Sequence, residues 1–155
     1  MRRADRAVAD REQILQTIEA CDCCRIGFSC PDGAYIVPLS FAFVPGTPDR
    51  FYFHGAAEGR KASLIADMPL VGFELDCAHA LTTGTSGCSY SCRYRSVIGT
   101  GRILPVTDLE EKKQALTAIM AHYEKSRVFV FTDEQAQRTA VFRLDVQQLS
   151  CKAHE

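Results

Sequence analysis

At 155 residues, with 46% hydrophobic and 24% charged residues, the chain has the size and composition of one globular domain with a sizeable core. Its formal net charge of −1 gives no global reason to expect nucleic acid or an anionic membrane as partner. No apolar run approaches the ~20 residues that cross a bilayer. The polar start through Arg6 has no apolar signal core, and Asp5, Asp10 and Glu12 weigh against a transit peptide, so a cytoplasmic protein is expected.

In chain order, Asp10 and Gln13 have the spacing of a helix cap, and Ile14, Leu15 and Ile18 form an apolar stripe, which predicts a helix from about Asp10 to Ala20. Arg25 to Cys30 reads as a strand closed by a Pro31-Asp32-Gly33 turn. The next strand, Ala34 to Val44, alternates by size. Tyr35, Val37, Leu39, Phe41 and Phe43 share a core face, while Ile36, Pro38, Ser40 and Ala42 share a mostly small one. A small face lets a flat ring or another subunit lie close to the backbone. Pro38 marks either an edge or bulge, or a ligand contact, since it cannot donate to a ladder.

A loop from Pro45 to Asp49 leads to a strand from Arg50 to His54, and a helix from Arg60 to Asp67 stops before Pro69. Leu70 to Cys77 and Ser89 to Leu104 read as strands, with Gly99 and Gly101 bending the second. Asp108 and Glu111 open a long helix ending near His122, whose Leu109, Ala115, Leu116, Ile119 and Met120 form an apolar face. Arg127 to Thr132 and Thr139 to Val146 read as the last strands. Helices set around several antiparallel strands fit a closed or split barrel. A Rossmann site is not expected, because no Gly-x-Gly-x-x-Gly follows a strand.

The eight cysteines raise the question of metal. Cys21 and Cys24 have C-x2-C spacing, and Cys88 and Cys92 have C-x3-C spacing, which formally fit a four-thiolate zinc site. Cys23, Cys24 and Cys30, however, lie on or beside an apolar strand, where free cysteine behaves as a small hydrophobe. Reduced core thiols and no metal are therefore expected.

The most informative stretch runs from Phe51 to Ile65. An aromatic strand ends at His54, a turn passes through Gly55 and Gly59, and a helix begins with Arg60 and Lys61. Two cations in a first helical turn oppose the helix dipole, whose free N–H groups already make that end positive. Either the pair is simply solvated, or a phosphate-like dianion sits there between the N–H groups and both side chains.

The set Tyr35 to Phe41, Phe51 to Gly55, Glu58 to Lys61 and Tyr94 to Gly99 resembles the FMN-binding split barrels related to pyridoxamine-phosphate oxidase, and within them the 5-nitroimidazole-resistance proteins. The resemblance extends from Arg2 to Val146. It implies a mainly β fold with some α: a six-stranded antiparallel split barrel of Greek-key type, with flanking helices, in one domain spanning residues 1–155. It also implies a homodimer with FMN in a groove at the subunit interface. Arg60 and Lys61 would then hold the phosphate, and Val37, Pro38, Leu39 and Ser40 would run along the ring or ribityl chain. Phe53 and His54 would border the flavin, and Arg95 and Ser96 would approach it from the later strand. His54 is the candidate catalytic proton donor, the alternative being a pocket-wall histidine.

The resemblance implies an FMN-dependent oxidoreductase acting on a small molecule, with nitro compounds such as 5-nitroimidazoles as acceptors and a reduced nicotinamide as donor. A non-catalytic flavin binder, or a barrel using F420 or haem, are the alternatives. The tail from Leu149 to Glu155 departs from the parent oxidases, which carry an arginine-rich segment there, and this argues against pyridoxal phosphate synthesis.

Overall fold

The computed structural model describes residues 4–67 and 69–154. Arg2 and Arg3, which open the resemblance, and the terminal Glu155 lie outside the described residues. The elements follow in the order β1 (Ala7–Val8), α1 (Arg11–Glu19), β2 (Cys24–Cys30), β3 (Gly33–Leu39), β4 (Phe41–Val44) and β5 (Arg50–Gly55). Then come α2 (Arg60–Asp67), β6 (Leu70–Thr82), β7 (Ser91–Pro105), α3 (Leu109–Tyr123), α4 (Asp133–Arg138) and β8 (Ala140–His154).

Every strand pair is antiparallel, and the order across the sheet is β3-β2-β6-β7-β8-β5-β4, with the short β1 added to β8. The two ends of that order, β3 and β4, are joined by Ser40 alone. Leu39 and Phe41 therefore lie within about 7.6 Å of one another, two trans Cα steps. The sheet must curl until its ends meet, and the result is a barrel split at Ser40.

Alternation along the strands sorts residues between an interior and an outer layer. Phe51 and Phe53 point inward, where they meet Phe28, Phe41, Phe73, Leu75, Ile103 and Leu144 in the main core. The intervening Tyr52 points outward, beneath α3, and packs with Ala42, Val106, Leu116, Ile119, Ala136 and Val141 in a second cluster. The face of α3 that the sequence marked as apolar is thus what covers this side of the barrel. Its cap is Asp108, which accepts from the Glu111 N–H at 2.8 Å, as Asp10 accepts from the Gln13 N–H at 3.2 Å for α1.

Three expectations are corrected. The strand expected from Ala34 to Val44 is two strands. Its first half pairs with β2 and its second with β5, and that transfer at Ser40 is what closes the barrel. This split, together with β1, gives eight strands rather than six. The strand expected over Arg127 to Thr132 does not form. Val128 and Val130 there are 85% and 87% exposed, and β propensity without a neighbouring strand makes no ladder. The chain instead turns into α4, whose Thr132 and Gln135 form a capping box that the strand reading concealed. The bend expected at Gly99 and Gly101 is present as a break in register between Thr100 and Gly101.

Candidate functional site

The start of α2 holds the two cations in different ways. No acidic residue occupies its first turn. Gly59, with φ +99°, turns the chain into the helix through a conformation that side chains disfavour. Arg60 extends over the β2–β3 turn. Its Nη2 donates to both oxygens of Asp32 at 3.0 Å, and its guanidinium carbon lies 4.6 Å from the centroid of the Tyr35 ring. That ion pair holds the guanidinium charged and raises its pKa.

Lys61 bends the other way, to the end of β5. Its ammonium lies 5.2 Å from the centroid of the Phe142 ring, in a notch made by Gly55. A Cβ at Gly55 would lie 2.3 Å from Lys61 Nζ, so with any other residue there the ammonium would have to shift. Among the described residues no carboxylate pairs with it, and burial alone pushes its pKa down. A half-buried ammonium at a helix N-terminus, supported among the described residues only by the Phe142 ring, would gain from an anion beside it. The Gly55 notch is filled by the ammonium itself, so what fits a phosphate here is the two cations and the first N–H groups of α2.

Most of the other residues singled out in the sequence lie on the elements next to this helix start. Val37 and Leu39 are half-buried against the main core, whereas Pro38 is exposed on the outer face opposite Arg25. Ser40 is exposed at the split, and continuing the β4–β5 register sets it opposite His54. Phe53 is fully buried. His54 is exposed and, by alternation, faces the side of β5 opposite Phe53 and Gly55.

Arg95 and Ser96 are not brought to this place. Lys61 lies against Phe142, which pairs with Pro105, and Arg95 is ten residues back along β7, about 33 Å of strand. Arg95 instead borders a cavity of about 460 Å³ beside Arg6, Gln13 and Gln16, at the other end of the barrel.

The remaining histidines have structural partners. His122 Nε2 donates to the Cys21 carbonyl at 2.8 Å and its ring lies 4.4 Å from that of Phe41. His154 Nδ1 donates to the Cys92 carbonyl at 2.9 Å, and His79 meets Asp76 at 2.9 Å. His54 alone of the four has no polar partner among the described residues. All eight cysteines are free thiols. Burial pushes the Cys21, Cys24 and Cys151 thiols up, away from the reactive thiolate. Among the described residues no three His, Cys, Asp or Glu side chains are grouped to hold a metal.

Sequence reasoning missed Asp32, read only as a turn residue, and the close approach of Lys61 to Gly55. The doubled glycine around the turn was the one signal for the second. Among the described residues no helix is long and apolar enough to cross a membrane.

Comparison with known proteins agrees with this architecture. A search of curated proteins found no match. A protein from Bacteroides thetaiotaomicron, a candidate 5-nitroimidazole antibiotic resistance protein, superposes with a TM-score of 0.80 at 30% identity, over 96% of this chain and 90% of its own. Two more distant structures share the fold. The flavocytochrome Anf3 from Azotobacter vinelandii has a TM-score of 0.81 at 22% identity, over 100% of this chain and 72% of its own. An FAD- and haem-binding protein from Mycobacterium smegmatis has 0.84 at 17%, over 97% and 74%. The family model described as pyridoxamine 5'-phosphate oxidase matches residues 10–153, nearly the whole chain. With its split barrel and its cation-primed helix after the Phe51–Gly55 strand, the chain belongs to the pyridoxamine 5'-phosphate oxidase family.

Proposed function

We propose that the protein is an FMN-dependent oxidoreductase that reduces small molecules, nitro compounds such as 5-nitroimidazoles among them, at the expense of a reduced nicotinamide. The observation that carries this reading is Lys61, half-buried in the Gly55 notch with no carboxylate partner among the described residues, beside Arg60 at the α2 start. That arrangement asks for a phosphate, and the family and its nitroimidazole-resistance relative supply the flavin and the acceptor as the matching chemistry.

Lys61, the first N–H groups of α2 and Arg60 would hold the phosphate. Val37, Pro38, Leu39, Ser40 and Phe53 would line the rest of the cofactor. When bound, FMN supplies the hydride and electron transfer. His54, exposed and free of other polar partners among the described residues, would donate the proton to the reduced acceptor.

Arg95 and Ser96 belong to the same groove only if a second copy brings them, since ~33 Å of strand separates them from Lys61 within one chain. We therefore place the groove at a two-fold homodimer contact, which the exposed Ile36 (61%) and Ile98 (53%) on the outer barrel face also favour. Eight unpaired thiols are in keeping with a reducing compartment such as the cytoplasm.

The test is a spectrum followed by an assay. The purified protein, alone or after titration, is expected to take up one FMN per chain and then to oxidise NADH or NADPH with a nitroimidazole. A protein that takes F420 or haem and leaves FMN free would replace the cofactor. One that binds FMN without turnover would be a flavin carrier.

A further inference from the structure

Arg60 is not an idle cation. Its Nη2 spans both oxygens of Asp32 at 3.0 Å each, and its guanidinium stacks 4.6 Å from the Tyr35 ring centroid. Asp32 sits in the tight turn between β2 and β3, followed by Gly33 at φ +118°, so it is fixed on the barrel rather than on the helix. Lys61, one residue further along α2, has no such partner among the described residues. Of the two charges that would meet a phosphate, one is already engaged by the protein's own anion.

We propose that Asp32 is an internal competitor for the phosphate at Arg60, a built-in anion that lowers the affinity of the site for its dianionic ligand. The inference rests on the phosphate reading given under Proposed function and adds a residue to it. When a phosphate arrives, Arg60 either leaves Asp32, losing two charge-assisted hydrogen bonds, or keeps it, leaving a carboxylate within a few ångströms of a dianion. Either course weakens binding, and neither touches a ligand without a phosphate. The ion pair is exposed, its partners' side chains being 50% and 68% accessible, so the effect is modest and falls with salt. Tyr35 keeps the guanidinium beside the site once Asp32 is gone, which is why removing the acid improves the site rather than releasing Arg60.

The experiment is a fluorescence titration of riboflavin and FMN into the full chain, comparing wild type with Asp32→Asn and Asp32→Ser, both suited to a turn. FMN is expected to bind both variants roughly 3–10-fold more tightly at low salt. Riboflavin should change by less than about twofold, and the FMN gain should shrink at 0.5 M salt as the Debye length falls to ~4 Å. Unchanged or weaker FMN binding in both variants would overturn the proposal, as would equal gains for both flavins. The double variant Arg60→Ala/Lys61→Ala separates the two readings. If it loses FMN while riboflavin holds, the phosphate site stands and any failure belongs to Asp32 alone. If it loses neither, the phosphate site itself is wrong.

Discussion

Two of the charge clusters on this barrel contrast in how their charges are compensated, and the difference separates scaffold from candidate site. Beneath α3, Arg143 donates to Glu111 at 2.8 Å and pairs with Asp145 at 3.0 Å. Glu111 also accepts from the Tyr52 hydroxyl at 3.0 Å, and Arg50 meets Asp145 at 3.3 Å. Every charge there has an opposite neighbour, so the cluster ties α3 to β5 and β8, although Arg50 Nε, Arg143 Nε and Asp145 Oδ1 are buried without a well-directed hydrogen bond among the described residues. At the start of α2, among the described residues, Lys61 lies in its notch without a carboxylate, and Arg60 has a single exposed one. A cation buried at a helix N-terminus lowers stability, and an anion bound from outside would offset that loss.

The largest effect should come from removing both cations of the second cluster. Arg60→Ala/Lys61→Ala should weaken FMN by about 10²–10⁴-fold, since only FMN carries the phosphate that both cations meet, while riboflavin changes little. Titration of the two flavins reads this directly, and equal losses would place the phosphate elsewhere and dissolve the contrast between the clusters.

His54 tests whether the same end of the barrel also carries chemistry. With FMN saturation checked first, His54→Ala and His54→Gln should each lose roughly 10²–10⁴-fold in nitroimidazole turnover. Retention within about tenfold in both would reduce His54 to a wall residue, a barrier change of only ~1.4 kcal/mol.

The scaffold cluster should respond in stability and not in binding. Glu111→Gln leaves Tyr52 an acceptor but strips the charge facing Arg143, at a cost of about 1–2 kcal/mol and therefore a Tm lower by roughly 3–6 °C. FMN affinity should hold. A loss of FMN binding at unchanged Tm would show that the two clusters are coupled.

The smallest and sharpest effect is on the apo protein. Burial lowers the Lys61 pKa in the folded state, so folding disfavours its charged form. Between that lowered value and the unfolded pKa near 10.4, the unfolded chain binds more protons, and stability therefore rises with pH through this alkaline window. Lys61→Met should make the apo protein more stable at neutral pH and abolish the alkaline gain, while losing its preference for FMN over riboflavin. Thermal melts across pH, with and without FMN, check both halves. A less stable apo variant would mean that Lys61 serves the fold.

Much of the candidate site's layout was legible because its signal is local. The cations Arg60 and Lys61, the glycines on either side of the turn, and the aromatic strand before them are contiguous, and α2 occupies the residues that Pro69 and the helix pattern marked. The apolar face of α3 was legible for the same reason, as a periodicity within one element. The split of the long strand at Ser40 was not. Val37, Leu39 and Phe41 keep one alternation throughout, and only the meeting of the sheet's two ends decides that the ladder changes partner there.

What the sequence determined by itself, then, is short-range: where helices start and stop, which strand faces are apolar, and that two positive charges share a helix end. The tertiary structure alone decided how those charges are used. It brought Asp32 from 28 residues away to Arg60, left Lys61 in the Gly55 notch, and moved Arg95 and Ser96 to the far end of the barrel. Compensation of charge depends on distance in space, and no pattern along the chain encodes that distance when the partners sit in separate elements.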